Sequence, residues 1–302
     1  MPGVILVVTT YVLLVVFLVG FVARTVRLAR LPVHLRWELA PIPHEKGKGH
    51  YGGSYLEELD WWTKPREKSL VAELRYMLLE IVFLKAVFEH NRRLWWFSFP
   101  FHFGLYVLVA VAAVVLLAAA GAAVGWGAAA PAVRAGVTGA AGLGYALGAI
   151  GALGLLVKRA LEPGLRDFTS PAARFNLVLL LTVFGTGIGA VATADYATSL
   201  PGYLGAVLTA NLAVTVPPIV AAHVLVTCVF LAYLPFTTMM HFVAKYFTYH
   251  EVRWNDEPMM PGSRMEKEVE RLLAQPVTWA GPHLHADGKK NWVDIATEEV
   301  GK

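Results

Sequence analysis

Residues Val214–Trp254 read VTVPPIVAAHVLVTCVFLAYLPFTTMMHFVAKYFTYHEVRW and carry two histidines, His223 and His241, inside a long apolar run. The run contains no Asp, Glu, Lys or Arg before Lys245, so it predicts a membrane-spanning helix. Eighteen residues separate the histidines, which equals five helical turns and a rise of about 27 Å. On one continuous helix, both imidazoles would lie on the same face and near opposite surfaces of the hydrocarbon layer.

Histidines at such depth are unusual in a membrane protein. Ionisable side chains inside a bilayer are costly, and those that occur usually face the interior of a helix bundle as ligands or proton relays. Neutral imidazole is also a common axial ligand of haem iron. The two histidines therefore lead to the hypothesis of a membrane cytochrome of the b type.

The composition independently indicates an integral membrane protein. Of 302 residues, 56% are hydrophobic and only 16% are charged, which is too apolar for an ordinary soluble domain. Cys228 is the only cysteine, so the chain has no disulfide, no CxxCH site for covalent haem and no set of thiolates for an iron–sulfur cluster. Any such cluster must belong to a partner protein.

Charge-free runs predict an all-α membrane protein with five transmembrane helices. Residues 1–23 form the first helix, and we expect it to be retained rather than cleaved, because basic residues follow its apolar run instead of preceding it. Residues 24–96 form a polar loop, residues 97–244 a four-helix haem-binding region, and residues 245–302 a polar tail. The predicted spans are Val4–Ala23, Phe97–Ala120, Ala135–Val157, Phe175–Ala194 and Pro217–Ala244, the last of them kinked at Pro235.

Within the polar loop, apolar residues recur at spacings of three and four from Leu70 to Phe88 and predict one helix. The five charged residues from Glu73 to Glu89 make spanning expensive, so we interpret it as an amphipathic helix at the cytoplasmic interface, with a further span as the alternative. Seven glycines between Gly136 and Gly154 predict close helix packing in the third span. Asp195–Asn211 is predicted to be an outer loop.

Lys and Arg are distributed very unevenly between the two sides of this arrangement. With the N-terminus outside, 13 lie in residues 24–93, four in residues 158–174 and eight from Lys245 onward, which leaves only Arg134 outside. Cytoplasmic loops of membrane proteins carry the excess of Lys and Arg, so the C-terminal tail is predicted to be cytoplasmic. His102 and His241 then share a depth near the cytoplasm on two different helices, whereas His223 lies near the outside.

Three motifs make the sequence similar to a known family. They are FPFHFGLY at Phe99–Tyr106, KRALEPGLRDFTSPAARFN at Lys158–Asn176, and the run from His223 to Phe242 with LPF between its histidines. The region Phe97–Tyr249 resembles the gamma subunit of respiratory nitrate reductase. It also resembles the related membrane cytochromes that partner heterodisulfide-reductase-like iron–sulfur proteins, and the first loop and the WNDEP tail favour that branch.

The resemblance implies a haem b held by two axial histidines, His102 and His241. In the family, a second b haem lies near the other surface and pairs His223 with a further histidine of the second span. Ala112 stands at that position here, so a second haem lacks one ligand. For His223 the alternatives are a ligand with an unidentified partner, a quinol hydrogen-bond partner, or a vestigial ligand. With one haem, we expect the quinone pocket beside the haem held by His102 and His241.

The resemblance and the charge pattern suggest further binding residues. Arg93, Arg174 and Lys245 are candidate partners of haem propionates, and Arg134 is either part of a quinol site or a solvated loop charge. His90 lies among charged residues and is interpreted as interfacial structure. His283 and His285 supply at most half of a metal site in the tail, so metal binding there is disfavoured.

The predicted function is that of a membrane cytochrome b subunit in the cytoplasmic membrane of a prokaryote. It would exchange electrons between quinone or menaquinone and a cytoplasmic iron–sulfur subunit, heterodisulfide-reductase-like or nitrate-reductase-beta-like, as the quinol-reactive subunit of an oxidoreductase complex. No nucleic acid is expected. Pro32–Trp62 and the tail after His250 are predicted to dock the partner. The competing hypothesis is a haem-free membrane anchor or transporter subunit whose histidines are structural or relay protons.

Overall fold

The computed structural model describes residues 3–31, 42–47, 54–125, 130–280, 284 and 286–299. These residues form helices and short helical turns, with no sheet among them. The helices are α1 Gly3–Ala29, α2 Leu70–Val82, α3 Lys85–His90, α4 Arg92–Ala123, α5 Pro131–Leu161, α6 Pro163–Arg166, α7 Pro171–Thr193, α8 Tyr196–Leu208, α9 Pro218–Tyr233, α10 His241–Thr248, α11 Arg264–Leu273 and α12 Trp292–Thr297.

Five helical segments are long and apolar enough to cross a membrane. They are α1, α4, α5, α7, and α9 together with the 3₁₀ turn that follows it, Pro218–Phe236. A proline occupies the first turn of α5, α7 and α9, where its missing N–H has no helical partner to lose. The predicted all-α class with five spans is confirmed, and the chain is a multi-pass membrane protein.

The chain divides into two compact units. The membrane unit comprises residues 1–24 and 75–240, and the polar unit comprises residues 25–74 and 241–302. In the membrane unit the extensive helix contacts run from α4 to α5, from α5 to α7 and from α7 to α9, while α8 packs on α4. This order leaves α4 and α9 at the two ends of a row of helices.

Glycines hold α4, α5 and α7 together, as the sequence predicted. A methyl group added at Gly104 would come within 2.6 Å of the Gly144 carbonyl oxygen, and one at Gly148 within 2.7 Å of the Phe184 ring. Helices that approach this closely gain van der Waals contact that lipid tails cannot supply. Gly136, in the first turns of α5, faces open space and has no such role.

The predicted outer loop Asp195–Asn211 is wrong over most of its length, because it contains α8. Tyr203 of α8 is fully buried, and its hydroxyl lies 2.6 Å from the Thr10 hydroxyl of α1. The hydroxyl of Tyr11 donates to the carbonyl of Val207. The sequence prediction failed because the apolar α8, at 13 residues, is too short for a span, and Pro201 and Gly202 within it are typical of a loop.

The fifth span differs from the prediction at its end. The α-helix stops at Tyr233, and after the 3₁₀ turn Thr237 has an extended backbone, with φ −118° and ψ 170°. The Thr237 hydroxyl donates to the Leu234 carbonyl and accepts from the Met239 N–H, which stabilises the interruption. No continuous helix connects His223 to His241, so the argument from five whole turns on one face is wrong.

The single helix predicted from Leu70 to Phe88 is also interrupted. Leu84 adopts a left-handed conformation, with φ 51°, between α2 and α3. The indole of Trp95 donates to the Phe83 carbonyl at 2.8 Å, and the Tyr106 hydroxyl donates to the Ile81 carbonyl at 2.8 Å. The end of α2 therefore finds donors for its last carbonyls on α4, which compensates for the lost helical hydrogen bonds.

The faces of α2 are arranged as an interfacial helix requires. Five of its exposed residues form an apolar stripe about 100° wide, beside which Arg75 and Leu79 are also exposed, whereas Glu80 is buried, with the residue 5% exposed. An apolar stripe on the outside suits contact with lipid rather than water. The position of α2 at the cytoplasmic interface stays a prediction. The stripe consists of Leu70, Val71, Leu74, Leu78 and Ile81.

Candidate functional site

His102 lies on α4, one turn after Ser98, and is half-buried. Its Nδ1 atom is 2.7 Å from the Ser98 carbonyl oxygen. A carbonyl can only accept, so Nδ1 carries the proton, and the lone pair of a neutral imidazole is then on Nε2. Protein ligands of metals usually fix their second ring nitrogen in this way. The geometry of His102 therefore fits an axial ligand of haem iron.

An aromatic row lies on the same helix beside His102. The rings of Trp95 and Phe99 stack at 4.7 Å, and those of Phe99 and Phe103 at 5.6 Å, at successive turns of α4. Phe101, which is buried, meets the His102 ring edge-on at 5.1 Å. These rings give α4 an apolar aromatic surface, which suits contact with a flat apolar macrocycle.

His241 is the first residue of α10 and belongs to the polar unit, whereas His102 belongs to the membrane unit. His241 is exposed. The pairing of these two histidines therefore rests on the sequence argument and stays a prediction. Of the candidate propionate partners, Arg93 and Arg174 are exposed, and the Lys245 ammonium lies 5.2 Å from the centre of the Tyr249 ring.

His223 lies on α9 within a buried hydrogen-bonded cluster, and the residue is 4% exposed. Its Nε2 atom is 2.8 Å from the Tyr145 hydroxyl of α5, and its Nδ1 atom is 3.2 Å from the Thr186 hydroxyl of α7. The Tyr145 hydroxyl is in turn 3.0 Å from the hydroxyl of Tyr196, the first residue of α8. Four helices thus contribute to one cluster, which we call the His223 cluster.

The sequence interpretation missed the partners of His223. Tyr145 is the only aromatic residue in the predicted third span, Ala135–Val157, and a lone tyrosine among glycines and alanines in a membrane helix is a usable signal. Buried tyrosines generally find a partner for the hydroxyl. Thr186 and Tyr196 gave no comparable signal, because their proximity to His223 depends on how α7, α8 and α9 pack.

Arg134 lies in the first turn of α5 and is half-buried. Its Nη1 atom is 3.4 Å from the Thr198 hydroxyl of α8, while its Nε atom is buried without a hydrogen-bond partner. His90 ends α3 and is exposed. The structure places neither residue in the His223 cluster.

The polar unit joins the first loop to the C-terminal tail through buried ionic groups. Asp256, which is 5% exposed, lies 3.0 Å from His44 Nε2 and 3.1 Å from Lys68 Nζ. Burial raises the pKa of Asp256, but the hydrogen bonds and positive charges of His44 and Lys68 outweigh it, so the pKa is below its ordinary value. The Tyr55 hydroxyl also donates to the Asp256 backbone carbonyl.

Glu73 adds a second link in the same unit. Its carboxylate lies 2.9 Å from His250 Nε2 and 3.9 Å from His44 Nδ1. The described parts of the two predicted docking segments, residues 42–47 with 54–62 and the tail after His250, therefore contact each other. Their exposed aromatic residues, such as Trp62 and Trp279, stay candidates for partner contact. His283 and His285 lie outside the described residues.

Comparison with known proteins gives one family. The pattern of the nitrate reductase gamma subunit family matches residues 85–255, which is more than half of the chain. The match begins at α3 and includes His102, the His223 cluster and His241. No curated protein and no solved structure matches the chain.

Proposed function

The chain belongs to the nitrate reductase gamma subunit family, and from this premise we propose that it is a membrane cytochrome b subunit that exchanges electrons between quinone and a cytoplasmic iron–sulfur protein. The family describes a membrane subunit of a nitrate reductase-type oxidoreductase complex, so the chain acts within a complex and is not a complete enzyme. Its place is the cytoplasmic membrane of a prokaryote.

The observation that carries the proposal is the hydrogen bond from His102 Nδ1 to the Ser98 carbonyl. It fixes the ring and places the lone pair of the neutral imidazole on Nε2, which is the arrangement that metal-ligating histidines usually have. Haem iron supplies one-electron redox chemistry when it is bound. His102 and His241 are the proposed axial ligands, and Arg93, Arg174 and Lys245 are proposed to neutralise the propionates.

The polar unit supports the proposal of a cytoplasmic partner. Its loop and tail are held together by Asp256, His44 and Glu73, and this leaves Trp62 and Trp279 exposed at 64% and 55%. Large exposed aromatic residues are enriched at protein interfaces and unusual on a surface that meets only water. We assign the partner to the heterodisulfide-reductase-like class, with the nitrate-reductase-beta-like class as the alternative.

A reduced-minus-oxidised optical spectrum of the purified complex tests the proposal. We expect the alpha band of a b-type haem after expression with an intact haem supply. Absence of that band would instead support the haem-free anchor or transporter subunit. Addition of a quinol analogue should then reduce the haem, and a haem that responds only to soluble reductants would contradict the quinone part of the proposal.

A further inference from the structure

We propose that this cytochrome holds a single haem, and that the His223 cluster replaces the second haem of the two-haem scheme. The inference rests on the proposed function and concerns the part of the bundle around His223. Three observations support a single haem. They are the hydrogen bonds of the His223 cluster, the close packing around Tyr145, and the alanine at position 112, where a second haem would need a histidine.

The hydrogen bonds of the cluster use both ring nitrogens of His223. The Thr186 hydroxyl lies 2.8 Å from the Thr182 carbonyl, which can only accept, so the hydroxyl donates there and accepts from His223 Nδ1. His223 is then neutral with its lone pair on Nε2, and Nε2 accepts from the Tyr145 hydroxyl. The Tyr145 oxygen in turn accepts from Tyr196. Each donor in the chain has an acceptor.

This arrangement occupies the coordinating nitrogen. An iron atom bound by His223 Nε2 would have to displace the Tyr145 hydroxyl, which lies along that direction at 2.8 Å. His102 likewise uses Nδ1 as a donor, to a backbone carbonyl, so its lone pair is also on Nε2. The two histidines therefore have the same tautomer, with the proton on Nδ1, and the obstacle to iron at His223 is the Tyr145 hydroxyl that already donates to its Nε2.

Tyr145 is held in place by packing. The residue is 5% exposed, and a methyl group added at Gly187 would come within 2.5 Å of its ring. The neighbouring Phe184 ring is fully buried and fills the space beside Gly148. Protein interiors are close-packed, so Tyr145 cannot swing aside without moving α5 or α7. The residues around His223 do not fit a haem.

The position where a second haem would need its other histidine also lacks a side chain that can bind iron. Ala112, ten residues after His102 on α4, is exposed and offers only a methyl group. Residues 107–120 of α4 are Val, Leu and Ala alone, so no neighbouring turn supplies a substitute. The cluster instead connects α5, α7, α8 and α9 through side-chain hydrogen bonds, and its role is to position these helices.

A consequence concerns the quinone substrate. Electrons from quinone must enter at the level of His102 and not at the level of His223, because no second haem is available to relay them. The quinone pocket is therefore expected beside α4 near His102, and Arg134 is expected to contribute little.

The haem-to-polypeptide ratio of the purified complex tests the inference. We expect a ratio of one, and His223→Ala should leave that ratio unchanged. A ratio of two, or a ratio halved by His223→Ala, would overturn the inference while leaving the proposed function intact. Failure of the proposed function is a different result, since it would appear as a wild-type complex with no b-type haem.

A double-mutant cycle tests the cluster without reference to haem. Tyr145→Phe keeps the ring and removes the hydroxyl, and each single variant, Tyr145→Phe or His223→Ala, should lower the unfolding midpoint by about 2–4 °C. The double variant should lose clearly less than the sum, because both changes remove one shared hydrogen bond. Tyr203→Phe is the matched control, since this buried tyrosine pairs with Thr10 and should add independently to His223→Ala. Additive effects for Tyr145 and His223 would overturn the assignment.

Discussion

Nε2 of His44 lies 3.0 Å from Oδ2 of Asp256, although 212 positions separate the two residues in the chain. The contact is buried and attaches the C-terminal tail to the first loop within the polar unit. Asp256→Asn removes the charge that His44 and Lys68 share. The Lys68 ammonium donates a hydrogen bond to Oδ1 of Asp256, and hydrogen bonds to charged groups contribute about 1.5–3 kcal/mol, so opening of the tail should become about 10- to 100-fold more favourable.

Limited trypsin digestion at pH 7 measures this opening, since cleavage after Arg253 and Arg264 reports exposure of the tail. Asp287→Asn is the matched control, because Asp287 lies in an exposed turn of the same tail and accepts from the Lys289 and Lys290 backbone. Equal cleavage rates for the two variants would contradict a docking role for Asp256.

Acidification should release the tail in the wild-type protein. The pKa of Asp256 is lowered in the folded state, so its contribution to stability is fully present above the ordinary value of 3.8 and is lost as the pH falls through the lowered pKa. Asp256 should therefore keep the tail amides protected against hydrogen exchange from pH 7 down to about pH 4. In Asp256→Asn this loss of protection on acidification should be absent. If the variant shows the same loss, groups other than Asp256 are responsible for it.

A pair of glycines on α5 tests the helix packing. A methyl group at Gly151 would lie 2.5 Å from the backbone nitrogen of Phe101 on α4, and overpacking of this kind typically costs about 1–3 kcal/mol. Gly136→Ala on the same helix meets open space and should be neutral or stabilise by about 0.4–1 kcal/mol. The measurement is the thermal unfolding midpoint of each variant in detergent. A Gly151→Ala variant as stable as the wild type would contradict the close approach of α4 and α5.

Hydropathy and glycine spacing predicted the five spans and the close packing of α5, because both depend on residues within one segment. The interruption at Thr237 was not predictable in this way, since its extended backbone depends on local hydroxyl hydrogen bonds that hydropathy ignores. The interruption after α2 depends on Trp95, whose indole donates to the Phe83 carbonyl from twelve residues later. Tyr145 and His223 are 78 residues apart, so only the packed structure brings their hydrogen bond into view.

The orientation in the membrane can be tested with single introduced cysteines. Asp287 lies in the tail and Thr209 lies between α8 and α9, and both residues are exposed, so each is a suitable position for an introduced cysteine. Because 25 of the 26 Lys and Arg residues fall on one predicted side, an impermeant thiol reagent should label Thr209→Cys in intact cells and Asp287→Cys only after permeabilisation. The native Cys228 is buried and should stay unlabelled. The opposite labelling pattern would reverse the orientation and put the predicted shared depth of His102 and His241 near the outer surface.

The proposed axial ligands give the last prediction. His102→Ala and His241→Ala should each abolish the low-spin signal of a haem with two histidine ligands, since loss of either leaves the iron with one protein ligand or the site without haem. His90→Ala is the matched control and should keep the full signal, because His90 is exposed at the end of α3. Added imidazole should restore a low-spin spectrum in His102→Ala, whereas a merely structural histidine would not be replaced by a free ligand. An unchanged electron paramagnetic resonance spectrum in His102→Ala would contradict the assignment of His102, and an unchanged spectrum in His241→Ala would show that His102 pairs with a different residue.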